Sequence, residues 1–183
     1  MIHLLDVQIQ RCKQCDLHNG GRCKPYFTKE SRHVILGEAP GKSEVENNMP
    51  FCGMAGDHLW DIMKLHGFYR EQFLIINSVN CRPVDGNKNG KPTYEQINTC
   101  KKWVRKYIKV LQPKAILSLG NYAMYNILGE SQGIMNMNGL HVKGNEYESN
   151  VILSVHPSMC IYRGELGKKM LSYSIGKFKE VVL

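Results

Sequence analysis

Apolar residues along the chain gather in four short, nearly unbroken runs: His33–Leu36, Phe73–Val79, Ala115–Leu119 and Val151–Val155. Each ends at a polar or glycine-containing turn, which predicts buried strands. Runs without alternation suit a parallel sheet covered on both faces. Between them, apolar positions recur at helical spacing. Asp57–His66 places Leu59, Ile62, Met63 and His66 on one face and stops at Gly67. Thr93–Leu111 opens with Thr93 and Gln96 at capping-box spacing and carries a stripe of Ile97, Cys100, Val104, Ile108 and Leu111. Asn121–Leu128 forms a short helix closed by Gly129, and a last helix runs from Gly167 to Val181.

Strands and helices therefore alternate. Right-handed crossovers give an α/β fold, a three-layer α/β/α sandwich around a four-stranded, mostly parallel sheet. The 183 residues show no repeat and no linker, so one domain is expected. Ligands bind beyond the carboxyl ends of such strands. Gly37–Gly41, Asn77–Cys81, Gly120–Asn121 and His156–Pro157 should therefore converge.

Composition narrows the class. Apolar residues are 43% and charged residues 22%, which excludes a disordered chain. No apolar run is long enough for a membrane span, and no secretion signal is read, so a cytoplasmic, reducing setting is expected. The net charge of +8 points to a polyanion partner, nucleic acid foremost. Lys101, Lys102, Arg105, Lys106 and Lys109 share one predicted helix, and further cations crowd residues 11–32.

Seven cysteines in a reducing setting favour metal over disulfides. Cys12 and Cys15 are two residues apart, and Cys81 and Cys100 form a wider pair across a Pro/Gly/Asn/Lys-rich loop. Four thiolates serve tetrahedral zinc or a 4Fe–4S cube equally well. Cys23 is a substitute ligand candidate, while Cys52 and Cys160 read as small hydrophobes.

Each strand-end motif is weak alone. Gly37-Glu38-Ala39-Pro40-Gly41 is a small-residue turn with one carboxylate and lacks phosphate-loop and dinucleotide patterns. Phe51, between Pro50 and Gly53, can stack on a base or fill a core. Asn77 lies inside an apolar strand, where a buried amide must find partners. His156 before Pro157 can donate to a developing anion.

In this order and spacing, however, the chain closely resembles the iron–sulfur uracil-DNA glycosylases of family 4. The match runs through Cys12-x-x-Cys15, GEAPG at Gly37–Gly41, PFCGMAG at Pro50–Gly56, INSVNCRP at Ile76–Pro83, Cys100, LG at Leu119–Gly120 and HPS at His156–Ser158. The resemblance implies a DNA repair enzyme that flips uracil out of single- or double-stranded DNA and hydrolyses its glycosidic bond. It implies Cys12, Cys15, Cys81 and Cys100 as ligands of a structural 4Fe–4S cluster. It places Glu38 and Ala39 near the scissile bond and the attacking water. It makes Ala39, Gly41, Phe51, Asn77 and His156 the substrate-binding set, with Glu38, Asn77 and His156 catalytic. Phe51 would stack on uracil, Asn77 would read its edge and His156 would support charge on O2. No lysine is evidently placed for Schiff-base chemistry, so an abasic site is the expected product, from an enzyme acting as a monomer. Met159 or Ile161 would serve as the wedge in the duplex.

Three positions depart from the family pattern. The Cys81–Cys100 loop is longer, through Asn87-Lys88-Asn89-Gly90. Asn138-Gly139 replaces Arg-Gly. Arg163 stands one place late. Two other readings fit the same features: a catalytically silent, metal-stapled DNA-binding module, and a glycosylase for another damaged or mismatched pyrimidine.

Overall fold

The computed structural model describes residues 2–143 and 145–183. The elements run in chain order as follows: α1 (Ile2–Gln10), a 3-10 turn (Asp16–Gly20), β1 (His33–Gly37), α2 (Lys42–Asn47), α3 (Met54–Leu65), a second 3-10 turn (Arg70–Gln72), β2 (Phe73–Asn77), β3 (Val84–Asp85), β4 (Lys88–Asn89), α4 (Tyr94–Leu111) and β5 (Ala115–Leu119). They continue with α5 (Asn121–Leu128), α6 (Ile134–Met137), β6 (His141–Val142), β7 (Asn150–Ser154), α7 (Met159–Arg163) and α8 (Glu165–Val182).

The main sheet has the order β2-β1-β5-β7-β6. The four apolar runs supply its parallel strands, as expected. The fifth, β6, pairs antiparallel with β7 and is two residues long, too short to leave a periodic signal. Strands β3 and β4 form a separate antiparallel hairpin. The chain leaves β1 towards β2 and later returns to the other side of β1 as β5, so the strand order reverses between β1 and β5.

Strand side chains alternate between two cores. Val34, Leu36, Leu74, Ile76, Ile116 and Leu153 pack under α1, α4 and α5. Ile35, Phe73, Ile75, Leu117 and Ile152 pack under α3 and α8. Both faces of the sheet are thus covered, which explains why the strands read as continuous rather than alternating. The capping box forms: Thr93 Oγ1 accepts from Gln96 N at 3.2 Å, and Gln96 Oε1 accepts from Thr93 N at 2.8 Å. Among the described residues, no helix is long and apolar enough to cross a membrane.

His33 opens β1 within an aromatic cluster, its ring 5.7 Å from those of both Phe73 and Phe178. Burial there, helped by Lys114, pushes its pKa down from 6.5 to about 4. Unfolded His33 takes up a proton as pH falls through 6.5, and folded His33 resists until about 4. Its contribution to stability is therefore full above pH 6.5 and drains across that window, by up to roughly 3 kcal/mol. His66, also lowered by burial, adds to the same limb. In denaturant unfolding at successive pH values, His33→Phe should flatten the acid loss of stability between pH 6.5 and 4. An unchanged slope contradicts this.

Candidate active site and cysteine centre

β1 and β2 run in register, so Gly37 ends beside Asn77. A Cβ on Gly37 would strike the Asn77 carboxamide oxygen and the Phe51 ring. Only glycine allows that approach. Asn77 is 3% exposed, and no described side chain or backbone group hydrogen-bonds its carboxamide. The Phe51 ring stands 6.1 Å from the His156 ring, tilted by 35°. Phe51 and His156 line a cavity of about 230 Å3 together with Gly41, Gly53, Gly56 and Ile161.

His156 Nδ1 accepts the Ser158 backbone N–H at 3.2 Å, with Ser158 Oγ at 2.9 Å. A nitrogen that accepts is unprotonated, so the neutral ring is assigned its proton on Nε2. The His-Pro-Ser turn thereby presents an N–H donor.

Phe51 has φ of 53°, in the left-handed region. For a bulky residue this costs about 1–3 kcal/mol and requires over-determined surroundings. Glu44 supplies part of them. Its Oε1 accepts the Phe51 N–H at 2.5 Å and its Oε2 accepts the Gly41 N–H at 2.6 Å. From the other side, Arg70 donates to the Pro50 and Phe51 carbonyls at 2.7 and 2.8 Å, and Trp60 Nε1 donates to the Phe51 carbonyl at 3.3 Å. The Arg70 guanidinium lies 4.4 Å over the Trp60 ring. A Cβ on Gly56 would strike the Phe51 backbone, which accounts for the last glycine of PFCGMAG.

Glu38 and Ala39 stand apart from this cavity, at the crevice where the strand order reverses. Glu38 Oε1 accepts the Tyr122 N–H at 3.2 Å at the start of α5, and its carboxylate covers Gly120, whose φ is 94°. The predicted set is therefore divided: Gly41, Phe51 and His156 line the cavity, Asn77 adjoins Phe51 at Gly37, and Glu38 and Ala39 are not among the lining residues.

Sequence reasoning missed Glu44, Arg70, Trp60 and Ser158. Glu44, three residues past Gly41 at a helix start, had a readable spacing. Arg70 acts across 20 residues of chain and had none.

Cys12, Cys15, Cys81 and Cys100 line one cavity with Arg22 and Asn80. Cys23 lies outside it. Its thiol is pushed up to about 12 by burial and lies 3.6 Å from the Lys24 carbonyl. Arg22 Nε donates to Cys81 Sγ at 3.3 Å, and its guanidinium also bonds the Gln10 and Cys12 carbonyls. Asn80 Nδ2 lies 3.6 Å from Cys100 Sγ. Burial raises the Cys81 thiol and takes Cys100 to about 11. Among the described residues, no three His, Cys, Asp or Glu side chains are grouped closely enough to hold a single metal ion.

The cations of α4 are largely engaged within the protein. Lys101 and Arg105 pair with Glu146 at 2.5 and 2.6 Å, and Lys102 and Lys106 lie over the Trp103 ring. Their clustering in sequence thus has a structural use. Asn138, where arginine was expected, is also engaged: it accepts from Val155 N and donates to the Met170 carbonyl, both at 2.9 Å. It brackets the end of β7 just before His156.

The model of the uracil DNA glycosylase superfamily matches residues 24–175. A type-4 uracil-DNA glycosylase of Archaeoglobus fulgidus is 30% identical, covering 87% of this chain and 82% of its own. Those of Sulfurisphaera tokodaii and Pyrobaculum aerophilum are each 31% identical, covering 82% and 84% of this chain and 70% and 76% of their own. The strand-end geometry and these matches agree, and the chain belongs to the uracil-DNA glycosylase superfamily, among its type-4 members.

Proposed function

We propose that the protein excises uracil from DNA by hydrolysing its N-glycosidic bond and leaves an abasic site. The observation that supports this reading is the close approach at Gly37. A Cβ there would strike both the buried Asn77 carboxamide, which has free hydrogen-bonding capacity, and the flat Phe51 ring. That ring stands 6.1 Å from the His156 imidazole, with which it lines the cavity. That set matches a pyrimidine: a face to stack on, an edge to read and a carbonyl to stabilise.

The flipped uracil stacks on Phe51 and pairs with Asn77. As the bond breaks, the sugar becomes cation-like and uracil leaves as an anion. His156 Nε2–H donates to that anion, and a preorganised donor of this kind is worth about 2.7–4 kcal/mol. Glu38 keeps Oε1 on the Tyr122 amide, which leaves Oε2 to orient water towards the sugar. Gly41 lines the cavity beside the substrate, and Ala39 anchors the same turn against the cluster that includes Val79 and Cys81. Lys42 also lines the cavity, with its Nζ 3.8 Å from the Glu46 carboxylate. Met159 packs against the core, whereas Ile161 is 42% exposed on the cavity rim, so Ile161 is the better wedge.

The cysteine centre fits a 4Fe–4S cluster held by Cys12, Cys15, Cys81 and Cys100. The four thiols line one cavity, and four thiolates are the usual ligand set of such a cluster. A bound cluster would supply a structural clip between the N-terminal segment and the loop after β2.

Wild-type protein should release free uracil from a uracil-containing single-stranded oligonucleotide. His156→Ala and Asn77→Ala should each slow single-turnover release by tenfold or more. Wild-type release at background rate overturns the activity. Glu44→Ala should also slow release by about tenfold while leaving folding cooperative, and Glu44→Gln, which keeps one acceptor, should recover part of the loss. Equal rates for all three proteins would remove Glu44 from the site. Anaerobically purified protein should contain about four irons per chain, and Cys81→Ala should lose them together with the iron–sulfide charge-transfer absorbance. Stoichiometric zinc in place of iron contradicts the cluster.

A further inference from the structure

The stretch that lengthens the loop between Cys81 and Cys100 returns to the active site. It forms the β3–β4 hairpin, and Asn89 at its end lines the same cavity as Gly41, Phe51 and His156. Asn89 Oδ1 accepts two hydrogen bonds, from Lys42 N at 3.2 Å and from Arg82 Nε at 2.7 Å. Two donors on one atom fix the orientation of the amide. Its Nδ2 is therefore the atom turned to Gly41, 3.1 Å from where a Cβ on that residue would stand. That NH2 group has no protein acceptor among the described residues. Gly90 N donates to the Pro83 carbonyl at 2.8 Å and closes the hairpin behind it.

The position selects the acceptor. The base-reading groups, Asn77 and Phe51, are buried, at 3% and 5% exposure. Asn89 is exposed at the mouth, flanked by the exposed cations Lys88 and Lys91 and tied to Arg82. A nucleotide with its base in the depth puts its phosphate, not its base, at the mouth. A cationic rim with a fixed N–H donor suits a phosphate oxygen.

We infer that the β3–β4 hairpin is a DNA-contacting wall, in which Asn89 Nδ2 donates to a phosphate adjoining the flipped nucleotide. The inference rests on the glycosylase reading above and adds a substrate contact to it. It also gives the longer loop a use: the hairpin braces the Gly37–Gly41 turn through Lys42 N and extends the site along the strand.

The test measures binding of a single-stranded oligonucleotide carrying a noncleavable 2′-fluorinated deoxyuridine, with and without a neutral methylphosphonate at each adjoining phosphate. Free uracil binding is measured alongside. Asn89→Ala should weaken the oligonucleotide about fivefold, and Asn89→Asp, which puts a negative charge at the mouth, about tenfold or more. Free uracil should bind both variants within twofold of wild type. One methylphosphonate should weaken wild type and have little further effect on Asn89→Ala, the non-additivity expected of a direct contact. Wild-type oligonucleotide affinity in both variants overturns the inference. So does a parallel loss of free uracil binding, since Asn89 would then act only by shaping the turn at Gly41. Uracil release by the same wild-type preparation separates failure of this contact from failure of the glycosylase reading.

Discussion

Parallel strands β1 and β2 end side by side, and only a residue without a Cβ at position 37 leaves room there for both the Asn77 carboxamide and the Phe51 ring. The rest of the site is built around that close approach. Strand register brings Asn77 to the edge. Phe51 reaches it by adopting a left-handed backbone that an aromatic residue rarely takes. The Glu44 carboxylate on its amide and the Arg70 and Trp60 donors on its carbonyl hold that conformation. The same carboxylate grips Gly41, so the two loops that flank the cavity are joined through one side chain. Strain at Phe51 and preorganisation of the pocket are thus two descriptions of one arrangement.

The cysteine centre lies next to this arrangement in the chain. Asn77 and Cys81 are four residues apart, on the segment that leaves β2. Arg22 ties Cys81 to the carbonyls of the segment carrying Cys12. The loop from Cys81 to Cys100 then projects the hairpin back over the Gly37–Gly41 turn. An N-terminal segment with few strand contacts of its own is in this way fastened to the residues that shape the pocket.

Much of this was legible in the sequence, for identifiable reasons. The four buried strands stood out because burial on both faces removes the alternation that would otherwise confuse them with surface segments. The α4 helix stood out because Thr93 and Gln96 mark its start. Gly41, Asn77 and His156 could be grouped because strand ends in this fold class share an edge, whereas Phe51, on the loop between α2 and α3, joined them only through the family resemblance. Other features left no signal. Strand β6 has two residues and its pairing is set by tertiary contact. Arg70 acts over a distance in sequence that no local pattern encodes. On α4, sequence could not show that Lys101 and Arg105 share Glu146 or that Lys102 and Lys106 lie over Trp103, contacts that leave most of the stripe's positive charge in place. The longer loop after Cys81 was visible as a departure, but its return to the cavity was not.

The central claim is that Asn77, Phe51 and His156 form one pyrimidine pocket at the end of β1. Nuclear magnetic resonance of the Asn77 side-chain amide during titration with free uracil tests it most directly. The account predicts that the Asn77 NH2 signals shift saturably with uracil, together with the Phe51 and His156 ring signals. Saturable binding that moves none of these three, or moves groups at the opposite edge of the sheet instead, would contradict it.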